Sequence, residues 1–145
     1  MANDVLNKSD YWKKKCLDVI LRGQAFTPPA KVYLALYTSN PTAADTGTEV
    51  AGGGYARREI AFSAAVTVPA VVGGSTVGTE GTVSNSVAIE FPQATADWGL
   101  ISHVGIRDAA TGGNLLYFGP NTKPRTAYEA DVIKFNIGDL KVFEG

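Results

Sequence analysis

Three glycines stand directly before two arginines in "EVAGGGYARREI", Glu49 to Ile60. Glycines bare the backbone N–H groups and guanidinium favours phosphate, so this segment is the first candidate for a nucleotide cradle. Such a cradle needs its glycines between a strand and the start of a helix, where converging N–H groups and the helix dipole meet the anion. A P-loop further needs GxxxxGK[ST]. Here the glycines lead into a strand pattern. On a strand, Tyr55, Arg57 and Glu59 share one face and Ala56, Arg58 and Ile60 the other, so the arginines diverge and cannot clamp one phosphate. The expectation is a flexible loop feeding a strand, with no nucleotide site between Gly52 and Arg58.

Other chemistries find no better footing. A Ser-His-Asp site would have to use His103, the only histidine, which lies in "LISHVGIRD" on an apparent strand with no GxSxG elbow beside it. A satisfied histidine on a sheet face is the plainer account. One Cys, one His and scattered acids do not make a metal site, and no acids are spaced as a calcium loop, so neither a metal nor another cofactor is expected. A glycosidase pair drawn from Glu90, Asp97 and Asp108 would depend wholly on folding. The residues point away from an enzyme and toward a function carried by surface contacts.

The chain has 145 residues, 45% hydrophobic and 19% charged, with a formal net charge of −1. That length suits one domain, 1–145, with a core of its own. The charge predicts no general attraction to nucleic acid or to an anionic membrane. Cys16 is the single cysteine, so no internal disulfide forms, and a reducing compartment fits. No apolar run suits a bilayer span, and "MANDVLNKSD" lacks a basic region followed by an apolar one, so a soluble protein without a classical export signal is expected.

The elements that would position any site are lopsided along the chain. In "SDYWKKKCLDVILRGQAF", Trp12, Cys16 and Ile20 recur every four residues with Leu17 and Leu21 beside them, predicting one apolar helical stripe within 1–24. Ser9 or Asp10 can cap its start and Gly23 its end. Lys13, Lys14 and Lys15 read as a solvated face rather than a polyanion contact. The region 25–145 then reads as a β body. "KVYLALYTS" is apolar on both faces, as in a central strand covered twice, with the helix a candidate cover. "YARREIAF", "SVAIEF", "SHVGIRD", "NLLYFG", "VIKFNI" and "LKVFE" follow as short strands, and "RDAATGGNLLYFG" reads as a hairpin. Val87, Ile89 and Phe91 should point inward. The expected core is Leu34, Leu36, Ile60, Phe62, Ile89, Phe91, Val104, Ile106, Phe135 and Ile137, with Ile133 on the same face. The fold class is mainly β: an antiparallel β-sandwich or small barrel with one N-terminal amphipathic helix.

One stretch does not belong to a compact body. Ser63 to Ser86 is built almost wholly of Ala, Val, Gly, Ser and Thr, with no aromatic anchor. It reads either as a mobile loop or as a long β-arm ordered on a neighbouring subunit. Val66, Val68, Val71, Val72, Val77 and Val83 are therefore candidate interface residues, together with Tyr11 and Trp12 of the helix. Trp98 in "TADWGLIS" is expected to pack over the sheet end rather than to stack on a host sugar.

The segments "VYLALYTSNPTAADTGTEVAGGGYARREIAF" and "SNSVAIEFPQATADWGLISHVGIRDAATGGNLLYFGP" resemble a family of small virion proteins of tailed bacteriophages, usually labelled phage tail fibre proteins. Four motifs occur in the family's order: the front helix, the strand at Val32, the glycine loop and the hairpin after Trp98. The stretch Ser63 to Gly81 is longer than in the family's commoner members. The resemblance implies a non-enzymatic virion component acting in several copies, a trimer by analogy, assembled in the bacterial cytoplasm. Its partners would be other copies of itself, other virion proteins and a host surface receptor. At 145 residues the chain lacks the repeated shaft segments of a long fibre, so a tip, adaptor or array unit is implied. A capsid decoration protein is the main alternative, which the arm favours, and a carbohydrate-binding or hydrolytic adhesin the remote one.

Overall fold

A computed structural model describes residues 3–5 and 7–144. Two short strands, β1 (Asn3–Val5) and β2 (Asn7–Lys8), precede helix α1 (Asp10–Arg22). Then come β3 (Val32–Tyr37), β4 (Arg58–Ile60), β5 (Val66–Val72), β6 (Ser75–Ser84), β7 (Ile89–Glu90), β8 (Gly99–Arg107), β9 (Leu115–Ala127), β10 (Lys134–Phe135) and β11 (Leu140–Glu144). A five-stranded sheet runs β2-β9-β8-β3-β4, a four-stranded sheet β1-β11-β6-β5, and β10 pairs with β7. All pairings are antiparallel except β1 beside β11. Leu34, Leu36, Val104 and Ile106 of the first sheet meet Leu140, Val142 and Val83 of the second, with Ile89, Phe91, Ile133 and Phe135 filling the layer between. The molecule is mainly β and sandwich-like, and neither sheet closes into a barrel.

The central strand behaves as its residues demand. Leu34, Ala35, Leu36 and Tyr37 are all buried, because both faces of β3 are covered. Leu34 and Leu36 face the core. On the other face Tyr37 lies so close to Gly105 that a Cβ there would come within 2.8 Å of its ring and of Leu115. Arg107, also on that face, donates to the Tyr37 hydroxyl at 3.0 Å.

The helix lies mainly against β9 and not over β3, the strand it was expected to cover. Its start is fixed: the Ser9 hydroxyl accepts from Trp12 N at 3.2 Å and donates to Leu115 O, Asp10 N donates to Ala43 O, and the Trp12 indole donates to Tyr117. Gly23 closes it in the left-handed region at φ 65°. No residue of α1 is buried, however. A helix advances about 100° per residue, so each step of four overshoots by about 40°. Ile20 thus lies about 80° away from Trp12, and Val19 takes the body-facing place beside Trp12 and Cys16. The single stripe expected from the spacing is really two, one toward the body and one toward solvent.

Two of the residues expected in the core face solvent. Ile137 is 68% exposed, since β10 ends at Phe135 and Asn136–Asp139 turns, with Asp139 N bonded to Asn136 O and Gly138 at φ 80°. Val87 is also exposed, because its carbonyl accepts from the Asn85 side chain and regular alternation starts only at Ile89. Phe62 is partly buried against the core, and Trp98 is buried.

Candidate functional site

The glycine loop is a packed structural knot and not the flexible loop its composition suggests. Gly52, Gly53 and Gly54 all have positive φ, at 72°, 57° and 78°. A Cβ on Gly53 would sit 2.9 Å from the Trp98 indole nitrogen, which donates to Gly53 O at 2.8 Å. The Tyr55 ring lies parallel to Phe91 and edge-on to Trp98. Its hydroxyl accepts from Leu36 N at 3.0 Å and donates to Glu49 at 2.8 Å. Both oxygens of Glu49 also receive Arg57, at 2.7 and 2.8 Å, in a fork. Burial opposes the Glu49 charge, but the bonds from Arg57 and Tyr55 outweigh it and hold this carboxyl below the usual carboxylate range.

Both arginines that could meet phosphate are engaged elsewhere. Arg57 Nη1 donates to Ala109 O and Gly112 O, and Arg58 turns away to Glu90 O at 2.7 Å. A second buried guanidinium, Arg107, grips both oxygens of Asp45 at 2.8 Å and also donates to Gly112 O and Gly113 O. Burial works against the Arg107 charge, yet Asp45 and Tyr37 raise its pKa. Two arginines from different strands and loops therefore clamp the carbonyls of one surface turn between β8 and β9. Asp108 completes that turn by accepting from Asn114 N and Asn114 Nδ2. Arg57 and Arg107 are read in sequence only as charges. Their role depends on carbonyls brought together by folding, which no local signal carries.

The other candidate chemistries have structural explanations. His103 Nδ1 lies 2.9 Å from the Ser102 hydroxyl, and burial lowers its pKa. Asp97 caps Glu129 N at 2.8 Å. Among the described residues no group of three His, Cys, Asp or Glu could hold a metal ion. Trp98 is 6% exposed, with its ring perpendicular to that of Tyr55 and its nitrogen on Gly53 O, leaving no open ring for a sugar.

Exposed apolar side chains include two groups of three or more on single elements, besides Val87, Leu100, Tyr128, Val132 and Ile137 elsewhere. On α1, Leu17, Ile20 and Leu21 are 58–76% exposed. Tyr11 and Trp12 instead line a groove with Phe26, Pro28, Pro29 and Leu116, on the body-facing side. The second surface is the arm, a hairpin of β5 and β6 turning at Gly73 and Gly74 with a bulge at Ala70/Val71. Val66, Val71, Val72 and Val77 are 57–67% exposed, Val68 is half-buried, and Val83 packs on the core. β11 pairs with β6 only from Gly81 to Ser84, so from Ser75 to Glu80 β5 is the sole strand partner of β6 among the described residues.

The arm is rooted by a residue the sequence did not single out. Asn85 is 1% exposed; its Nδ2 donates to Val87 O and Asn136 O, and its Oδ1 accepts from Leu140 N at 2.9 Å. Its own N–H and carbonyl pair with Leu140 O and Gly138 N. A bridge from Phe62 to Asn85 closes the root. The hairpin thus leaves the body from a fixed base, and among the described residues its projecting portion takes part in no ion pair and no aromatic ring pair.

A family model described as podophage GP4 fiber I protein gp80 matches residues 7–143. A search of curated proteins found no match. The match spans the helix, the knot, the arm and the clamped turn. The chain belongs to the podophage GP4 fiber I protein gp80 family, a family of phage fibre proteins.

Proposed function

We propose that the chain is a non-enzymatic tail fibre component that works as one unit in several copies per virion, joined to its neighbours through the arm. Family membership supports the fibre role. The observation that carries the multi-copy reading is the arm itself: a hairpin in which Val66, Val71, Val72 and Val77 are 57–67% exposed, leaving a body that has already closed its own core. A two-stranded ribbon is marginal alone in water, and edge pairing or apolar cover from another subunit would stabilise it. Repetition around a closed symmetric assembly, for which a trimer is the natural first guess, multiplies a modest gain per contact.

Quantitative mass spectrometry of purified virions tests this reading. A handful of copies per particle is the expected result. Hundreds would favour the second reading, a capsid decoration protein, which the extended arm also suits. Release of sugars from host polysaccharide by the purified protein would contradict a non-enzymatic role.

A further inference from the structure

The exposed apolar groups on α1 and on the arm carry flanking charges of opposite sign. On α1, Lys14 lies three residues before Leu17 and seven before Leu21, so it borders the outward stripe. The helix as a whole is basic, with Lys13, Lys14, Lys15 and Arg22 against Asp10 and Asp18. On the arm, the pairings Val66 with Thr82 and Val68 with Glu80 place Val66, Val68 and Glu80 on one face. Glu80 is the only charged residue between Ser63 and Ser86. Neither Lys14 nor Glu80 has an ion-pair partner among the described residues.

These charges discriminate among the ways in which copies can meet. Helix against helix would bring together two surfaces that are both net basic, and arm against arm two surfaces whose only charge is acidic, so neither contact joins opposite net charge. Helix against arm joins apolar to apolar and opposite charge to opposite charge. We propose that the outward stripe of α1 in one copy seats on the valine face of the arm in the next, with Lys14 opposite Glu80. This rests on the multi-copy reading above and names its interface. Such a contact is head-to-tail, so it closes into a ring when the rotation permits.

The test uses the full chain in two variants, each blunted on one surface. Leu17→Ser with Leu21→Ser blunts the helix, and Val66→Ser with Glu80→Lys blunts the arm. Three of these four positions are more than half exposed and the fourth lies on the projecting arm, so both variants should fold, with circular dichroism as the check. In sedimentation at roughly 100 µM, a concentration suited to weak contacts, the wild type should form oligomers and each variant should be monomeric. An equimolar mixture should form a 1:1 complex and nothing larger, because only one intact helix meets one intact arm. Lys14→Glu alone should weaken association about fivefold, the range of a single ion pair, and adding Glu80→Lys should restore it. A monomeric wild type, oligomers indifferent to these changes, or variants that fail to pair would overturn the interface. A handful of copies per virion alongside any of those results would leave the multi-copy reading standing with its contact elsewhere.

Discussion

Two glycine-rich regions of this protein behave in opposite ways. In the loop Gly52–Gly54, a Cβ on Gly53 would strike Trp98, and one on Gly54 would press within 3.3 Å of Gln93 O and Thr95. In the arm, a Cβ on Gly73, Gly74 or Gly78 would meet nothing within 4 Å. Both regions use glycine for positive φ. The loop is held by two aromatic rings, a forked ion pair and backbone carbonyls, whereas the arm is held by its own ladder and by its root at Asn85. Glycine content therefore says how a chain can bend. Rigidity depends on what the bend is pressed against.

The largest test of this contrast removes what presses on the loop. Trp98→Ala should destabilise the protein by about 3–5 kcal/mol in denaturant unfolding, and Leu36→Ala by about 2–5 kcal/mol, since both side chains are buried. A cost below about 0.5 kcal/mol for Trp98→Ala would mean that the knot is ornamental.

Next come the glycines themselves. Gly53→Ala combines a left-handed backbone with a clash and should cost at least about 2 kcal/mol. Gly74→Ala at the arm tip should change global stability by less than about 0.5 kcal/mol, because strain there opens only a local unit. Equal effects at the two sites would remove the distinction.

Acid should separate the regions as well. The Glu49 carboxyl titrates lower in the folded chain than in the unfolded one, where it is about 4.3. Its stabilisation is therefore fully present above the unfolded value and is lost as pH falls through the folded one. Unfolding midpoints measured from pH 6 downward should drop in the acid limb, and Glu49→Gln should flatten that part of the slope at the expense of lower stability near neutrality. A slope unchanged by Glu49→Gln would detach Glu49 from acid sensitivity.

The smallest effect is expected from the arm. Replacing 67–80 with a short Gly-Ser turn keeps Gly81–Ser84 for β11 and should leave body stability within about 0.5 kcal/mol of wild type. A loss above about 2 kcal/mol would make the arm part of the core, and normal incorporation of the shortened protein into virions would remove its role in assembly.

Local chemistry made several elements readable in the residues alone. Ser9 and Gly23 delimit α1 because a hydroxyl acceptor and a left-handed glycine answer the unpaired groups at helix ends. The run Val32–Tyr37 declared a strand covered on both faces, and Asp108 with Gly112, Gly113 and Asn114 declared a turn between two apolar strands. The arm was legible too, as β-preferring valines with nothing large to anchor them. Strands β1 and β2 were not, being too short to show any period. Only the tertiary structure decided that Val19 and not Ile20 faces the body, that Ile137 turns outward, and that Asn85 roots the arm. The largest such decision concerns Glu49, Tyr55 and Arg57. They are close in sequence, but their task is set by Leu36, Trp98, Ala109 and Gly112, which other strands and turns deliver. Patterns with a period of two or 3.6 report which face a residue takes. They hold no record of which distant carbonyl or ring waits there, because that depends on how the sheets stack.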